Sequence, residues 1–548
     1  MYISRMKEII TYCANRAGKL EKLPSGFWHH HDIRNNFYDA SYLFAAALDH
    51  SIALEVDREH AKREAEQVML QVLRLQDRHN ESDTYGHWPL RLEPSPAEAK
   101  VNPLPAELMG LLMVYFYKRY KQELSAELRA EFEAAFETLR NSSFYRVPLH
   151  YYHHHEAKYT AAKIIYGTIF NDSGLLKDGA ESLEATLERI KKVGMTEYGC
   201  LPWFWHWVQA FTSAYEIAED EQLRSKLKEM LDFLWDTRAV FYWKGAWVGA
   251  HSRGLPHDLP SDGNVLFDYV QFGDFSFPAD VPRVEYAGFL YAEAPVYAIA
   301  KVNERTYPHE VKQLVPAKPE ASNYEVLHSY VYMDKSFTAG GMWERAVEFD
   351  NEQHRWSITL PASGDGLANR VYFFHPGVHF GGVESNDWRH QSNIEQIVMH
   401  KGAVLALYPI ADNEADHIIG CLPKGTWLFE EKAMYGQCGD VYIAVHLQQS
   451  YTAEERSVAW RIVSQGSSNG AAVEAISLEE AAKQGIANLE QFADAQRQKP
   501  AVFAGGHGAE YRTLANDRLE LRLNEEMNQF HSIVNEQEVS FEAYRVNV

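Results

Sequence analysis

A chain of 548 residues is too long for one hydrophobic core, so two or three domains are expected. Hydrophobic content of 46% and charged content of 24% are ordinary for a globular protein in water, whereas 13% aromatic content, with 31 Tyr and 13 Trp, is high. The net charge of −23, from 53 basic and 76 acidic residues, repels nucleic acid and anionic membrane, and no basic run overrides it.

An anion-binding site on such a surface has to be local, built from Arg, Lys and His inside a cleft. The aromatic excess fits large aromatic cores and a saccharide-stacking cleft equally well. Cys13, Cys200, Cys421 and Cys438 are scattered, with no CxxC pair, which excludes a disulfide framework and a zinc ribbon. The first residues lack a leader-type apolar segment, and no stretch reaches the roughly 18 apolar residues of a membrane span. A reducing, cytoplasmic setting is therefore expected, with no cofactor and with self-association left open.

In chain order, His29–Asn36 opens the first clear helix and supplies Arg34, Asn35 and Asn36. Helical periodicity then runs to about residue 300, through Leu104–Tyr120, Leu128–Leu139, Tyr159–Phe170, Leu183–Ile190, Val208–Ile217 and Leu223–Trp235. Gly, Pro, Asn and Asp fill the connectors. Arg146–Thr160 opens a further helix and gathers His153, His154, His155, Glu156, Lys158 and Tyr159. Three adjacent histidines cannot face one metal, because successive side chains diverge, and no HExxH motif is completed.

Two segments carry the densest chemistry. Thr196–Trp207 holds Glu197, Tyr198, Trp203, Trp205, His206 and Trp207, and Gly249–Asp258 holds His251, Ser252 and Arg253. One helix, roughly Trp207 to Trp235, is expected to carry the chain between them so that both line one rim. After Val315-Pro-Ala-Lys-Pro319 the period becomes two, in runs such as Arg355–Leu360, Val371–Phe374, Ala403–Tyr408, Val441–His446 and Val458–Val463. A lone helix, about Leu478–Arg497, interrupts them, and strand-like Ala509–Leu523 and Val539–Val546 follow. The fold class is α+β and multidomain: a helical domain over 1–314, then an antiparallel β-sandwich over 320–548. No GxSxG elbow, P-loop or strand-linked GxGxxG is present.

A helical half followed by a β half, with these two rim motifs, resembles polysaccharide lyases of the heparinase II/III and chondroitin AC lyase type. The resemblance implies an incomplete (α/α) toroid, an acidic oligosaccharide or polysaccharide as partner, and β-elimination at a uronate. It further implies a Tyr and a His as acid and base, for which Tyr198 and His251 stand in the matching loops, and a group that neutralises the uronate carboxylate. Gly199 and Cys200 stand where that group's Asn is expected, so Arg253 takes the part. A β-domain histidine is sought in Asn351–Trp356 or at His375. Elimination needs these types: a base for the C5 proton, an acid for O4 and a counter-charge for the carboxylate. His251 near its ordinary pKa serves as base. Trp203, Trp205 and Trp207 are read as sugar-stacking, and Glu197, His154, His155, Glu156, Lys158, Tyr159, Arg34, Asn35, Asn36 and His375 as substrate-binding. Two alternatives stand beside this reading: a glycoside hydrolase drawing two carboxylates from Glu156, Glu197, Asp258 and Asp262, and a non-catalytic saccharide binder.

Overall fold

The computed structural model describes residues 2–197, 201–251, 265–279, 281–317, 325–345, 354–377, 391–524, 526 and 529–548. Helices dominate the first 303 residues: α1 (Tyr2–Ala17), α2 (Ile33–Leu48), α3 (Arg58–Arg74), α4 (Leu104–Tyr120), α5 (Ala126–Asn141), α6 (His154–Ile169), α7 (Ser173–Val193), α8 (Leu201–Ile217) and α9 (Glu221–Phe241). Short helices Leu266–Gln271 and Val296–Asn303 follow. None of the described helices is long and apolar enough to cross a membrane.

Burial divides these helices into two kinds. α2, α4 and α6 are buried nearly all round; α4 is apolar on every side over most of its length, whereas α2 and α6 bury polar residues such as Asn36, Asp39, Glu156 and Lys158 as well. α3, α5, α7 and α9 bury one stripe each, for example Leu128, Phe132, Ala135 and Leu139 of α5. Side chains cap the second kind: Asp57, Ser125, Asp172 and Asp220 each accept a first-turn N–H. The inner helices α2, α4, α6 and α8 pack against their neighbours and run parallel; Phe44 late in α2 lies 5.8 Å from Tyr120 at the end of α4. At one end, Glu107 in the first turn of α4 meets the first turn of α6. At the other, Lys118 near the end of α4 reaches the last carbonyls of α8.

Between the two dense segments the chain forms two helices, α8 and α9, turned back at Ala218–Asp220, in line with the separate periodic runs Val208–Ile217 and Leu223–Trp235 and not with a single carrying helix from Trp207 to Trp235. A single helix of that length, at 1.5 Å per residue, would carry the second motif to the far end of the bundle. The out-and-back pair returns it to the end from which α8 started, and Phe204 of α8 lies 5.6 Å from Trp247. α1 and α3 were not among the expected helices; α3 is polar except for a narrow stripe of Ala61, Ala65, Val68, Met69, Val72 and Leu73.

Three antiparallel sheets follow. The eight-stranded sheet runs in the order Tyr451–Glu455, Ala459–Gln465, His417–Pro423, Arg370–Phe374, Trp356–Thr359, Thr338–Met342, Val326–Met333, His309–Pro316. The six-stranded sheet runs Gln396–His400, Ala403–Tyr408, Asn469–Ser477, Val441–Leu447, Ala433–Cys438, Thr426–Phe429. A five-stranded sheet spans Val502–Glu538. All three feed one apolar core, including Trp356, Val371, Val404, Leu405, Val445, Tyr511 and Leu519.

Details of the expected β half shift. Val315 and Pro316, read as connector, end the strand His309–Pro316 in register with Val326–Met333. The lone helix Leu478–Arg497 is two, Leu478–Lys483 and Leu489–Arg497, parted at Gly485 with φ +80°. They cover the outer face of the six-stranded sheet, where Phe492 stacks on Tyr442 at 4.9 Å. That cover leaves Val441–Leu447 buried on both faces, so its sequence is a continuous apolar run instead of an alternation. Val539–Val546 is mostly irregular, with one bridge from Arg545 to Gln313.

Candidate functional site

The chemistry gathers where the N-termini of the inner helices meet. The triple histidines behave as divergent side chains should. His29 Nε2 lies 2.8 Å from Asp39, His30 Nε2 2.6 Å from Ser25 and His31 Nε2 3.3 Å from the Asn35 amide. His153 caps α6, while His154 and His155 take different carboxylates.

His154 is 2% exposed, and its Nδ1 is hydrogen-bonded to Glu197 Oε1. Its backbone N–H donates to Glu197 Oε2 at 2.7 Å, as does Trp207 Nε1 at 3.0 Å. An ionised carboxylate only accepts, so the Nδ1 of His154 carries the proton. Burial, against the pull of Glu197, holds the His154 pKa well below the usual imidazole range. Trp203 lies flat on this ring, 5.0 Å away with planes 6° apart. His206 is 5.6 Å from His154 and 5.2 Å from Trp203.

His206 Nε2 is 3.4 Å from Glu285 Oε1, and burial pushes its pKa down to about 4. Burial acts to raise Glu285, but His206, Arg283 and Gln209 together outweigh it and bring it to about 2. Arg283 sits 3.9 Å from Glu285, with its guanidinium 5.4 Å above the Trp203 ring. Arg34 grips Asp32 through Nε at 2.9 Å and Nη2 at 2.6 Å, and feels the charge of Glu285. Among the described residues the buried Tyr38 hydroxyl and His206 Nδ1 have no hydrogen-bond partner.

A second group adjoins the first. The buried carboxylate of Glu107 accepts from Lys158 Nζ at 2.6 Å, His155 Nδ1 at 2.6 Å and Tyr159 Oη at 2.8 Å. Burial works against ionisation of Glu107, yet Lys158 and His155 outweigh it and hold the carboxyl far below the usual range. The His154 and His155 rings are 4.1 Å apart.

His251 lies at the seam with the sheets. It forms a two-bond antiparallel bridge with His354, N to O at 2.9 Å in each direction. Gly249, at φ +93°, makes the turn into this seam; a β-carbon there would stand 2.9 Å from Val331. The expectation of a near-ordinary pKa for His251 is corrected: burial, then Arg370 and His354, push it well down. Arg370, wholly buried, donates to the Trp247 carbonyl at 2.6 Å and to Thr359 at 3.0 Å. Of the two proposed sources of a β-domain histidine, the segment with His354 reaches His251. His375 does not: its ring nitrogens are held by Ser392 at 2.7 Å and the Ala415 carbonyl at 2.6 Å.

Other expected residues have structural duties. Glu156 accepts three backbone N–H groups, from His150, Tyr151 and Tyr152, at 2.8, 3.0 and 2.6 Å, and so ties down the loop before α6. Asn36 accepts from the Trp28 and His29 N–H groups and donates to the His29 carbonyl, stapling the loop before α2. Trp205 packs in the core on Trp235 and Phe267, and Trp207 positions Glu197. Trp203 is partly exposed but carries His154 and Arg283 on its ring. Tyr198, Arg253, Asp258 and Asp262 lie outside the described residues. Among the described residues no three His, Cys, Asp or Glu side chains converge as a metal site.

Glu107, Arg283 and Glu285 were not anticipated. Glu107 did leave a signal: it is the single acid in Leu104–Tyr120, a helix otherwise apolar on all sides over its first three turns. A carboxylate there needs a buried cation. Arg283 and Glu285 sit in a short loop with no periodicity to mark them.

No family model matches the chain, and no curated protein matches its sequence. In structure it is similar to the X-ray structure of a chondroitin AC lyase mutant from Streptomyces coelicolor A3, at 11% identity, over 95% of this chain and 88% of that one, with a TM-score of 0.44. It is also similar to the crystal structure of heparinase III, at 10% identity, over 92% of this chain and 82% of that one, with a TM-score of 0.41.

Proposed function

We propose that the chain is a polysaccharide lyase that cleaves uronic-acid-containing glycans by β-elimination. On this reading the helices form an incomplete (α/α) toroid and the sheets a β-sandwich, with the catalytic cleft at the inner-helix N-termini. One observation carries the reading: the described carboxylates at this end are already engaged. Glu107 and Glu285 are held ionised by cationic and imidazole neighbours; Glu197 accepts from His154 and Trp207, Asp32 is paired with Arg34, and Glu156 accepts backbone N–H groups. A glycoside hydrolase needs a protonated carboxyl at the leaving oxygen. The carboxyls that burial raises, Glu395 and Glu474, bond Trp356 with Tyr408 and Tyr511 with Gln496 inside the sheets.

What the cleft does offer is neutral imidazole, guanidinium and converging helix N-termini. Burial keeps His154 and His251 in the base form at neutral pH. Arg34 and Arg283, helped by the partial positive charge at each inner-helix start, suit a uronate carboxylate. The Tyr38 hydroxyl and His206 Nδ1 are groups that a polar sugar would satisfy. Tyr198, beside Glu197, and His251 take acid and base, and Arg253 assists in neutralising the carboxylate. In the reaction the base removes the C5 proton, the C4–C5 double bond forms as the C4–O4 bond breaks, and the acid protonates O4.

The test is absorbance of the unsaturated uronate while the protein is incubated with a panel of uronic-acid oligosaccharides. A rise that is lost in Tyr198→Phe and His251→Ala supports elimination. New reducing ends without absorbance favour the hydrolase, and thermal stabilisation by saccharide without either product favours a binder.

A further inference from the structure

We propose that His155 is a substrate-contacting acid–base group of this site and that Glu107 is the residue that positions it. The proposal rests on the lyase reading for its chemistry and on geometry for its placement. His154, His206 and His251 are each only 2–3% exposed. The His155 side chain is 27% exposed, beside a Glu107 carboxylate that is 4% exposed. The bond from Nδ1 to Glu107, at 2.6 Å, puts the ring proton on Nδ1 and leaves Nε2 as the bare nitrogen. Glu107 cannot swing away, because Lys158 and Tyr159 hold the same carboxylate from the same helix turn.

The consequence is two carboxylate–imidazole dyads side by side, Glu197–His154 and Glu107–His155, with rings 4.1 Å apart. Elimination takes one proton from C5 and delivers one to O4. Alongside the roles given to Tyr198 and His251, the bare Nε2 of His155 is a third proton-handling group, which takes the proton left on the base and returns it to the acid so that each turnover ends in the starting protonation. Glu107 has no reach to substrate. It acts through His155 by fixing the tautomer and the ring direction, as a carboxylate behind a catalytic or metal-bound imidazole does.

Two readouts separate this proposal from the lyase reading. The first needs no substrate: carbethoxylation of the full-length protein by diethyl pyrocarbonate, mapped by peptide mass spectrometry. His155 should be modified ahead of His154, His206 and His251, and Glu107→Gln should slow its modification several-fold without altering theirs. Glu107→Gln strands the buried Lys158 ammonium, so Glu107→Gln with Lys158→Met is the second variant; it removes the ion pair as a unit. A His155 that resists modification, or one indifferent in both variants, overturns the placement.

The second readout is turnover. His155→Gln should lower kcat by about 10²–10⁴-fold with KM moved less than about threefold, and Glu107→Asp should recover part of what Glu107→Gln loses. Full kcat in His155→Gln overturns the catalytic role. If the unmodified protein forms no unsaturated product, the lyase reading fails and the acid–base role with it, while the modification rates still decide whether Glu107 presents His155.

Discussion

Glu197 shows how much one side chain decides at this site. It joins the start of α6 to the start of α8 through His154, and Trp207 locks it from below. Glu197→Gln places an amide donor against the protonated Nδ1 of His154 and reverses the preferred tautomer. Loss of an orienting carboxylate of this kind costs about 10–100-fold in activity. The mismatched buried donor costs about 1–3 kcal/mol in stability. Product absorbance and thermal melts read the two effects separately, and a variant with unchanged kcat would remove Glu197 from the site.

The buried imidazoles also set an acid limit. His206, depressed from 6.5 to about 4, takes up its proton more readily in the unfolded chain. Its contribution to stability is therefore complete above about pH 6.5 and is lost as pH falls towards 4. At about 1.4 kcal/mol per pH unit it is on the order of 3 kcal/mol. Glu285, lowered from 4.5 to about 2, acts in the same direction over the range below. The melting temperature should fall steadily on acidification from pH 6.5, and His206→Gln should flatten the upper part of that fall. A melting temperature constant from pH 7 to 4 would show that His206 is not held neutral.

At the scale of elements, strongly periodic helices and apolar strands could be read from the chain, while pairing could not. The inner helix α4 is evident from its all-round apolar composition. Between the two dense segments the separate periods Val208–Ile217 and Leu223–Trp235 mark both helices, while the turn Ala218–Asp220, only three residues long, makes them easy to join into one. Site residues followed the same rule. His154, Glu197 and Trp203 were marked by local density, but Glu107 gains its meaning only from Lys158, 51 positions later. Asn36 and Glu156 carry the residue types of a binding site, yet the orphan N–H groups of their own loops claim them. The seam has its own test. Gly249→Ala forces a β-carbon into a left-handed turn beside Val331, at a cost of about 1–3 kcal/mol. It should lower the melting temperature and His251-dependent turnover together; a neutral melt would mean that the turn has room to adjust.

The whole molecule carries a net charge of −23, and its proposed substrate is a polyanion. Encounter is therefore repulsive, while contacts to Arg34, Arg283 and the helix starts are short-range. Raising ionic strength to about 0.1 M shortens the screening length to about 10 Å, which removes the first effect before the second. The value of kcat/KM should rise with salt, pass through a maximum and then decline. A monotonic fall from the lowest salt would indicate a strongly positive approach path that outweighs the net charge.

The parallel inner helices also leave the protein with a front and a back. Every inner helix starts at the end that carries the histidines and stops at the opposite one. The links to the outer helices at Asp49–Asp57, Lys121–Ser125, Phe170–Asp172 and Ala218–Asp220 therefore all lie on the rear face. Glu219 is exposed there. A tether, a fused partner or a solid support attached at that position would hold the molecule by its back and leave the histidine end turned towards a polymer in solution.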